Sequence, residues 1–376
     1  MRLVADGLSV KMIPAAILLG VAACANVQAV DVTTNAAALH SPFDADQRRA
    51  PTQPAPQSFA CPATPTPVVR LATGSIYNPN DPNHAEIDIE AQADYLAEIT
   101  PVRNYVRDVV KMANAYVRTG SVANERCALR WLKDWASAGG LTRMETVQGY
   151  LGRGSLLAGL SFALLQLDDQ ASLGGSRRAA IAPWLARMAE DTIQFVDKRP
   201  DANSSKGNHR YWNGLGVAVA GIVNQRRDLF DWGMASARVG IAQIGADGIL
   251  PVELSRGKRA RDYHLYALAP LIMLAELGAA NGVDLYGENQ SALQRLVRLV
   301  VTSIDDPSYI AQRAGAAQVP YPNGQRDPPS SRMAWLAPYL ARFPDAALAR
   351  RFGLQGPLSS TDLGGDLTLF FVPPQP

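Results

Sequence analysis

From about Ala85 onward, apolar residues recur at three- and four-residue spacing, and that period restricts the chain to packed helices. Val102, Tyr105, Val106, Val109, Ala113, Tyr116 and Val117 fall on one helical face. Leu293, Leu296, Val297, Val300 and Ile304 repeat the pattern, as do Met333, Leu336, Tyr339 and Leu340. Between them, residues 156–167, 181–195, 211–223, 229–244 and 263–277 are apolar enough to face other helices. Breaks at Gly139-Gly140, Gly174-Gly175 and Asp247-Gly248 separate these stretches. Strand-like alternation is scarce and no long polar linker intervenes, so residues 76–376 read as one all-α domain. No fixed-period repeat is visible, although helical hairpins ringed into a toroid need none. The apolar stretch 367–372 suits either a strand or a packed tail.

The composition, 47% hydrophobic and 19% charged over 376 residues, is that of a globular protein with a sizeable core. A net charge of +2 means that any attraction for a polyanion must come from local clustering. Residues 1–29 read as an export signal: Arg2 and Lys11 precede an apolar run over 12–23, and Val27-Gln28-Ala29 offers a cleavage site. The run is shorter than the roughly 20 residues of a membrane span, so no integral span is expected after cleavage. An alternative processing at Cys24 would leave a lipid anchor. Cleavage after Ala29 leaves Cys61 and Cys127, a disulfide candidate in an exported chain, with two unpaired thiols as the alternative. No Cys/His spacing supports a metal site. Residues 30–75, with Pro51, Pro54, Pro56, Pro62, Pro65 and Pro67, read as a flexible lead-in.

Two short stretches carry the chemistry, GNHRYW at 207–212 and LSRGKRARDYHLY at 254–266. Of the four histidines, His40 lies in the lead-in and His84 in a Pro/Asn-rich turn. His209 opens a helix, where donors point outward; a capping Asn208 followed by a half-buried histidine is the structural alternative. His264, in an apolar stretch, reads as a packed or orienting residue. Arg256, Lys258, Arg259 and Arg261 make a basic knot before Tyr263. Export argues against nucleic acid as its partner, and the neighbouring phenol favours an anionic saccharide. Arg256 and Tyr263, seven apart, share a face if one helix carries both, which Gly257 leaves open. Tyr211 and Trp212 supply flat faces for sugar rings, or else core.

These residues suit proton abstraction beside a carboxylate. In a 4-linked uronic acid, the C5 hydrogen is α to the carboxylate and the O4 bridge is β to C5, so removing the proton expels O4 without water. The carboxylate must first be neutralised by donors such as Asn, Arg or protonated His. A tyrosine can then take the proton, if cations stabilise its phenolate, and return it to O4. One residue does both only when H5 and O4 share a side of the ring, as in mannuronate and glucuronate. Neither stretch brings two carboxylates together, which argues against a glycoside hydrolase.

NHRYW at 208–212, RRDLFDW at 226–232, DGILPVEL at 247–254, YHLYAL at 263–268 and GVDLYGENQSALQRL at 282–296 resemble the alginate lyases of polysaccharide lyase family five. The resemblance covers roughly residues 61–306. It implies an (α/α) toroid, an incomplete barrel of helical hairpins with a deep cleft. It also implies a periplasmic enzyme acting by β-elimination on polymannuronate, with no cofactor and no obligatory metal. Carried over, Asn208 and Arg256 neutralise the carboxylate, Tyr263 is the proton shuttle, and His209 assists as base or by neutralising charge. Trp212, Arg259 and Tyr266 match positions near substrate. Polymannuronate-specific members carry a lysine in the N-terminal substrate-contacting helix, where this chain places Glu90. That exchange leaves polyglucuronate or a hyaluronan-like chain as the second substrate. A non-catalytic polysaccharide-binding protein is the alternative of another class, against which the intact Asn208, His209, Arg256 and Tyr263 argue.

Overall fold

The computed structural model describes residues 37–43, 59–167, 176–321, 325, 327–352 and 357–371. The expected export signal (1–29), Cys24 as the alternative anchor site and much of the lead-in lie outside the described residues. From Ala38 onward the chain forms one compact unit.

The long helices run α1 (Ile89–Thr119), α2 (Val122–Ala138), α3 (Val147–Gln166), α4 (Ser176–Asp197), α5 (Asn208–Asn224) and α6 (Arg227–Gln243). A single turn, α7 (Pro251–Leu254), precedes α8 (Ala260–Ala280) and α9 (Glu288–Asp305). They alternate between two layers. Helices α3, α5 and α8 are buried along almost their whole length, because they are apolar on every side. Helices α2, α6 and α9 bury one stripe each. Neighbouring inner helices pack in the order α1, α3, α5, α8, and each packs on the outer helix that follows it. That alternation is an (α/α) toroid. The inner ring closes tightly where glycines meet: a Cβ on Gly216 of α5 would sit 2.5 Å from the Gly154 carbonyl oxygen of α3.

The described parts of 30–75 correct the expectation of a flexible lead-in. Leu39 and Phe43 are buried, and Phe43 stacks on Phe370 at 4.2 Å between ring centroids. A disulfide joins Cys61 to Cys127 of α2. The indoles of Trp131 and Trp135 donate to the carbonyls of Pro62 (3.2 Å) and Pro65 (3.0 Å). Strand β1 (Arg70–Leu71) then pairs in parallel with β2 (Arg143–Met144). The physical reason is that a Pro-rich segment builds no core of its own, yet its free carbonyls still accept from a neighbour that has one.

At the other end, β3 (Ser359–Ser360) and β4 (Gly365–Asp366) form an antiparallel pair, and Thr368–Phe371 is a helical turn. Buried Asn114 of α1 ties this segment down, donating to Gly364 O at 2.9 Å and accepting from Asp366 N at 2.7 Å. Thr361 and Asp362 are thereby held against the inner helices.

Candidate active site

The first turns of α5 and α8 face a common cavity. Asn208 and His209 open α5, whose preceding residue Gly207 makes no side-chain cap. The cap comes from elsewhere. Glu253 on α7, fully buried, accepts from Asn208 N at 2.7 Å and from Asn208 Nδ2 at 2.9 Å. One carboxylate thus satisfies a helix N-terminus and fixes the amide, leaving the second Nδ2 hydrogen as a free donor. Burial raises the Glu253 pKa, while Asn208 and Arg256 pull it down.

His264 positions α7 in turn. Its Nε2 accepts from Leu250 N at 3.0 Å and its Nδ1 lies 2.7 Å from Ala260 O, so the neutral ring donates through Nδ1. Burial drives its pKa down to about 4. This matches the orienting role read from its apolar surroundings.

Arg256 and Tyr263 do not share one helix. A 3-10 turn, Gly257–Arg259, separates them, with Gly257 at φ 55°. The reversal folds Arg256 back over the phenol, its Cζ 4.6 Å from the Tyr263 ring centroid. The Tyr263 hydroxyl is hydrogen-bonded to that of Tyr77, from the loop before α1. Burial is the largest influence on Tyr263 and, with Tyr77 and Glu253, pushes its pKa well above the ordinary value against the pull of Arg256. Burial and then Arg256 press the half-buried His209 down to about 4. At neutral pH the site therefore holds a neutral imidazole and a protonated phenol.

Tyr77, Asn208, His209, Arg259 and Tyr263 line one cavity of about 290 Å³. Arg103, Tyr266 and Arg332 line both it and a second cavity of about 390 Å³, so the two are lobes of one cleft. The cleft is basic: Arg103, Arg107, Arg259 and Arg332 line it against Asp262 and Asp362. Asn208 Oδ1, Arg256 Nε and Trp212 Nε1 are buried with no hydrogen-bond partner among the described residues. Orphaned polar atoms of this kind, gathered beside a cleft, suit a polar ligand.

Two expected sugar contacts need correction. Tyr211 is fully buried, its hydroxyl donates to Lys206 O at 3.0 Å, and its ring fills the space beside Gly240; it is core. Glu90 is exposed in the first turn of α1 and lines neither lobe. The cation that α1 does bring to both lobes is Arg103, thirteen residues further along. Trp212 and Tyr266 do border the second lobe, their rings 5.1 Å apart. The sequence reading missed Glu253, Tyr77, Arg103, Arg332 and Asp362. Only Glu253 stood inside a quoted motif, and none of the five carries a local signal of its role.

Comparison with known proteins finds relatives by sequence and by fold. The model of the alginate lyase family matches residues 152–310. A polysaccharide lyase of Stenotrophomonas maltophilia is 35% identical, over 82% of this chain and 90% of its own. An alginate lyase of Azotobacter vinelandii is 32% identical, over 92% and 91% respectively. Alginate lyase A1-III from Sphingomonas species A1 superposes with a TM-score of 0.71 at 26% identity, covering 85% of this chain and 89% of that one. Its tyrosine-to-phenylalanine variant, solved with a bound tetrasaccharide, superposes at 0.74 with the same coverage. By sequence along most of its length and by fold, this chain belongs to the alginate lyase family.

Proposed function

We propose that the cleft cleaves 4-linked polyuronate, polymannuronate first, by β-elimination within the chain. The observation that carries this is the gathering of Asn208, His209 and Tyr263 on one cavity wall, with Arg256 over the phenol. Asn208, held by Glu253, and Arg256 draw off charge from the uronate carboxylate, which lets C5 release its proton. The C4–O4 bond then breaks, a C4–C5 double bond forms, and O4 leaves with a proton.

The protonation states of the two groups support one division of the roles. A neutral imidazole is ready to accept a proton and a protonated phenol is ready to give one. In that division His209 takes H5 and Tyr263 protonates O4. A second reading keeps both steps on Tyr263; the guanidinium 4.6 Å over its ring favours that reading by stabilising a phenolate. Under either, Tyr263→Phe abolishes the ultraviolet-absorbing unsaturated product with an unchanged melting temperature, and full activity in that variant refutes the role. His209→Ala separates the two. Loss of turnover supports the imidazole as base, and normal turnover with weakened affinity returns both steps to Tyr263. Polymannuronate, polyguluronate, polyglucuronate and hyaluronan assayed side by side decide the polymer, since glucuronate shares the C4/C5 geometry of mannuronate. We further propose a periplasmic site of action, on the strength of the charged and apolar pattern in residues 1–29 and the Cys61–Cys127 bridge.

A further inference from the structure

The second lobe contains a group that a polyanion should avoid. Asp362, brought there by the β3–β4 segment, lines the lobe together with Arg103 and Arg332. No hydrogen bond or ion pair to its carboxylate is found among the described residues. Arg103 Nη2 instead donates to the Tyr95 hydroxyl at 3.0 Å, and the Arg332 guanidinium sits 4.9 Å from the centroid of the Tyr266 ring. Burial raises the Asp362 pKa, and the charges of Arg103 and then Arg332 oppose that rise.

A carboxylate that is partly desolvated, open to a cavity and without a hydrogen-bond donor costs free energy until a donor reaches it, even with guanidinium charges nearby. Within a uronate polymer the donors are the ring hydroxyls, because the acid groups are acceptors and repel it. The C2–C3 edge of a pyranose lies across the ring from C5 and its carboxylate. A uronate in this lobe therefore has one favourable orientation, with its acid toward Arg103 and Arg332 and its O2 and O3 hydroxyls toward Asp362. An ionised carboxylate has two acceptor oxygens, enough for both neighbouring hydroxyls. The lobe, at about 390 Å³, is within the roughly 300–1,000 Å³ range of ligand clefts.

We infer that Asp362 is a specificity-determining residue that accepts from the O2 and O3 hydroxyls of a uronate bound beyond the reacting one, and so rejects sugars esterified at those oxygens. Esterification removes the donors, adds bulk and leaves the aspartate unpaired, the situation that gives hydrogen-bonding sites their strongest discrimination. This rests on the β-elimination reading, because it presumes a polyuronate running through both lobes.

The test compares wild type, Asp362→Asn and Asp362→Ala on polymannuronate, on the same polymer O-acetylated at C2 and C3, and on unacetylated oligomers of increasing length. Wild type should prefer the unacetylated polymer. Asp362→Ala should lose about tenfold or more in kcat/KM on that polymer, mainly through KM, and lose most of its discrimination against the acetylated one. Asp362→Asn, which keeps the shape and one acceptor oxygen, should fall between and carries the test if the alanine variant does not fold. The loss should grow with oligomer length and vanish for oligomers too short to reach the lobe. Unchanged discrimination, or tighter binding of the unacetylated polymer on removing the charge, would overturn the inference by making Asp362 only a repulsive element. Wild type that forms no unsaturated product from any polymannuronate would instead overturn the β-elimination reading itself.

Discussion

At the residue scale, the Asn208 amide of the candidate site depends on one buried acid. Glu253 holds the amide of Asn208 through two hydrogen bonds, 2.7 and 2.9 Å long. Glu253→Gln replaces one acceptor oxygen with a donor that faces the Asn208 amide, so one of these bonds is lost. Kinetics on polymannuronate should show a fall in kcat/KM of about tenfold to a hundredfold, while the melting temperature drops by a few degrees. Wild-type kinetics in that variant would mean that Asn208 is held by other contacts. Glu90 behaves differently. Being exposed and outside both lobes, it should leave the ratio of activities on polymannuronate and polyglucuronate unchanged when replaced by Lys. A rise in that ratio would restore it as a substrate contact and show that the polymer extends past the two lobes.

At the scale of elements, the site exists because two helix N-termini and a one-turn helix are locked to each other. His264 is the fastener: from the first turns of α8 it accepts the Leu250 amide that leads into α7. Its folded pKa, about 4, lies below the ordinary 6.5. A depressed histidine stabilises the fold fully above the unfolded pKa, and that stability is lost as pH falls through the folded one. For this buried ring the loss amounts to up to roughly 3 kcal/mol, and His209 titrates in the same window. Urea unfolding midpoints should therefore fall as pH drops from 6.5 toward 4. His264→Gln should be less stable at pH 7 yet flatter across that window. A wild-type profile without this slope would show that the imidazole is not held neutral.

At the scale of the whole molecule, the small net charge conceals a cationic cleft. Arg103, Arg107, Arg259 and Arg332 come from three separated parts of the chain and converge because the inner helices form a ring. Attraction of a polyanion to such a cleft is weakened by salt, with a screening length of about 10 Å at 0.1 M. Raising ionic strength should increase KM for polymannuronate more than it lowers kcat. A KM indifferent to salt would mean that hydroxyl contacts and stacking, rather than charge, hold the polymer.

The sequence by itself determined the helices, because three- and four-residue periodicity is a local property that each segment carries in its own apolar residues. It also singled out Asn208, His209, Arg256 and Tyr263, since amide, imidazole, guanidinium and phenol lay within two short stretches and matched a family pattern. The tertiary structure alone decided what depends on distant chain segments. Pro62 and Pro65 look like free linker until the indoles of α2 reach their carbonyls. Tyr211 and Trp212 are adjacent aromatics in one helical turn, yet the first fills the core and the second borders the cleft, because successive helical residues point about a hundred degrees apart. Glu253, Tyr77 and Asp362 gain their meaning only from groups tens to hundreds of residues away, and no spacing in one dimension encodes that contact.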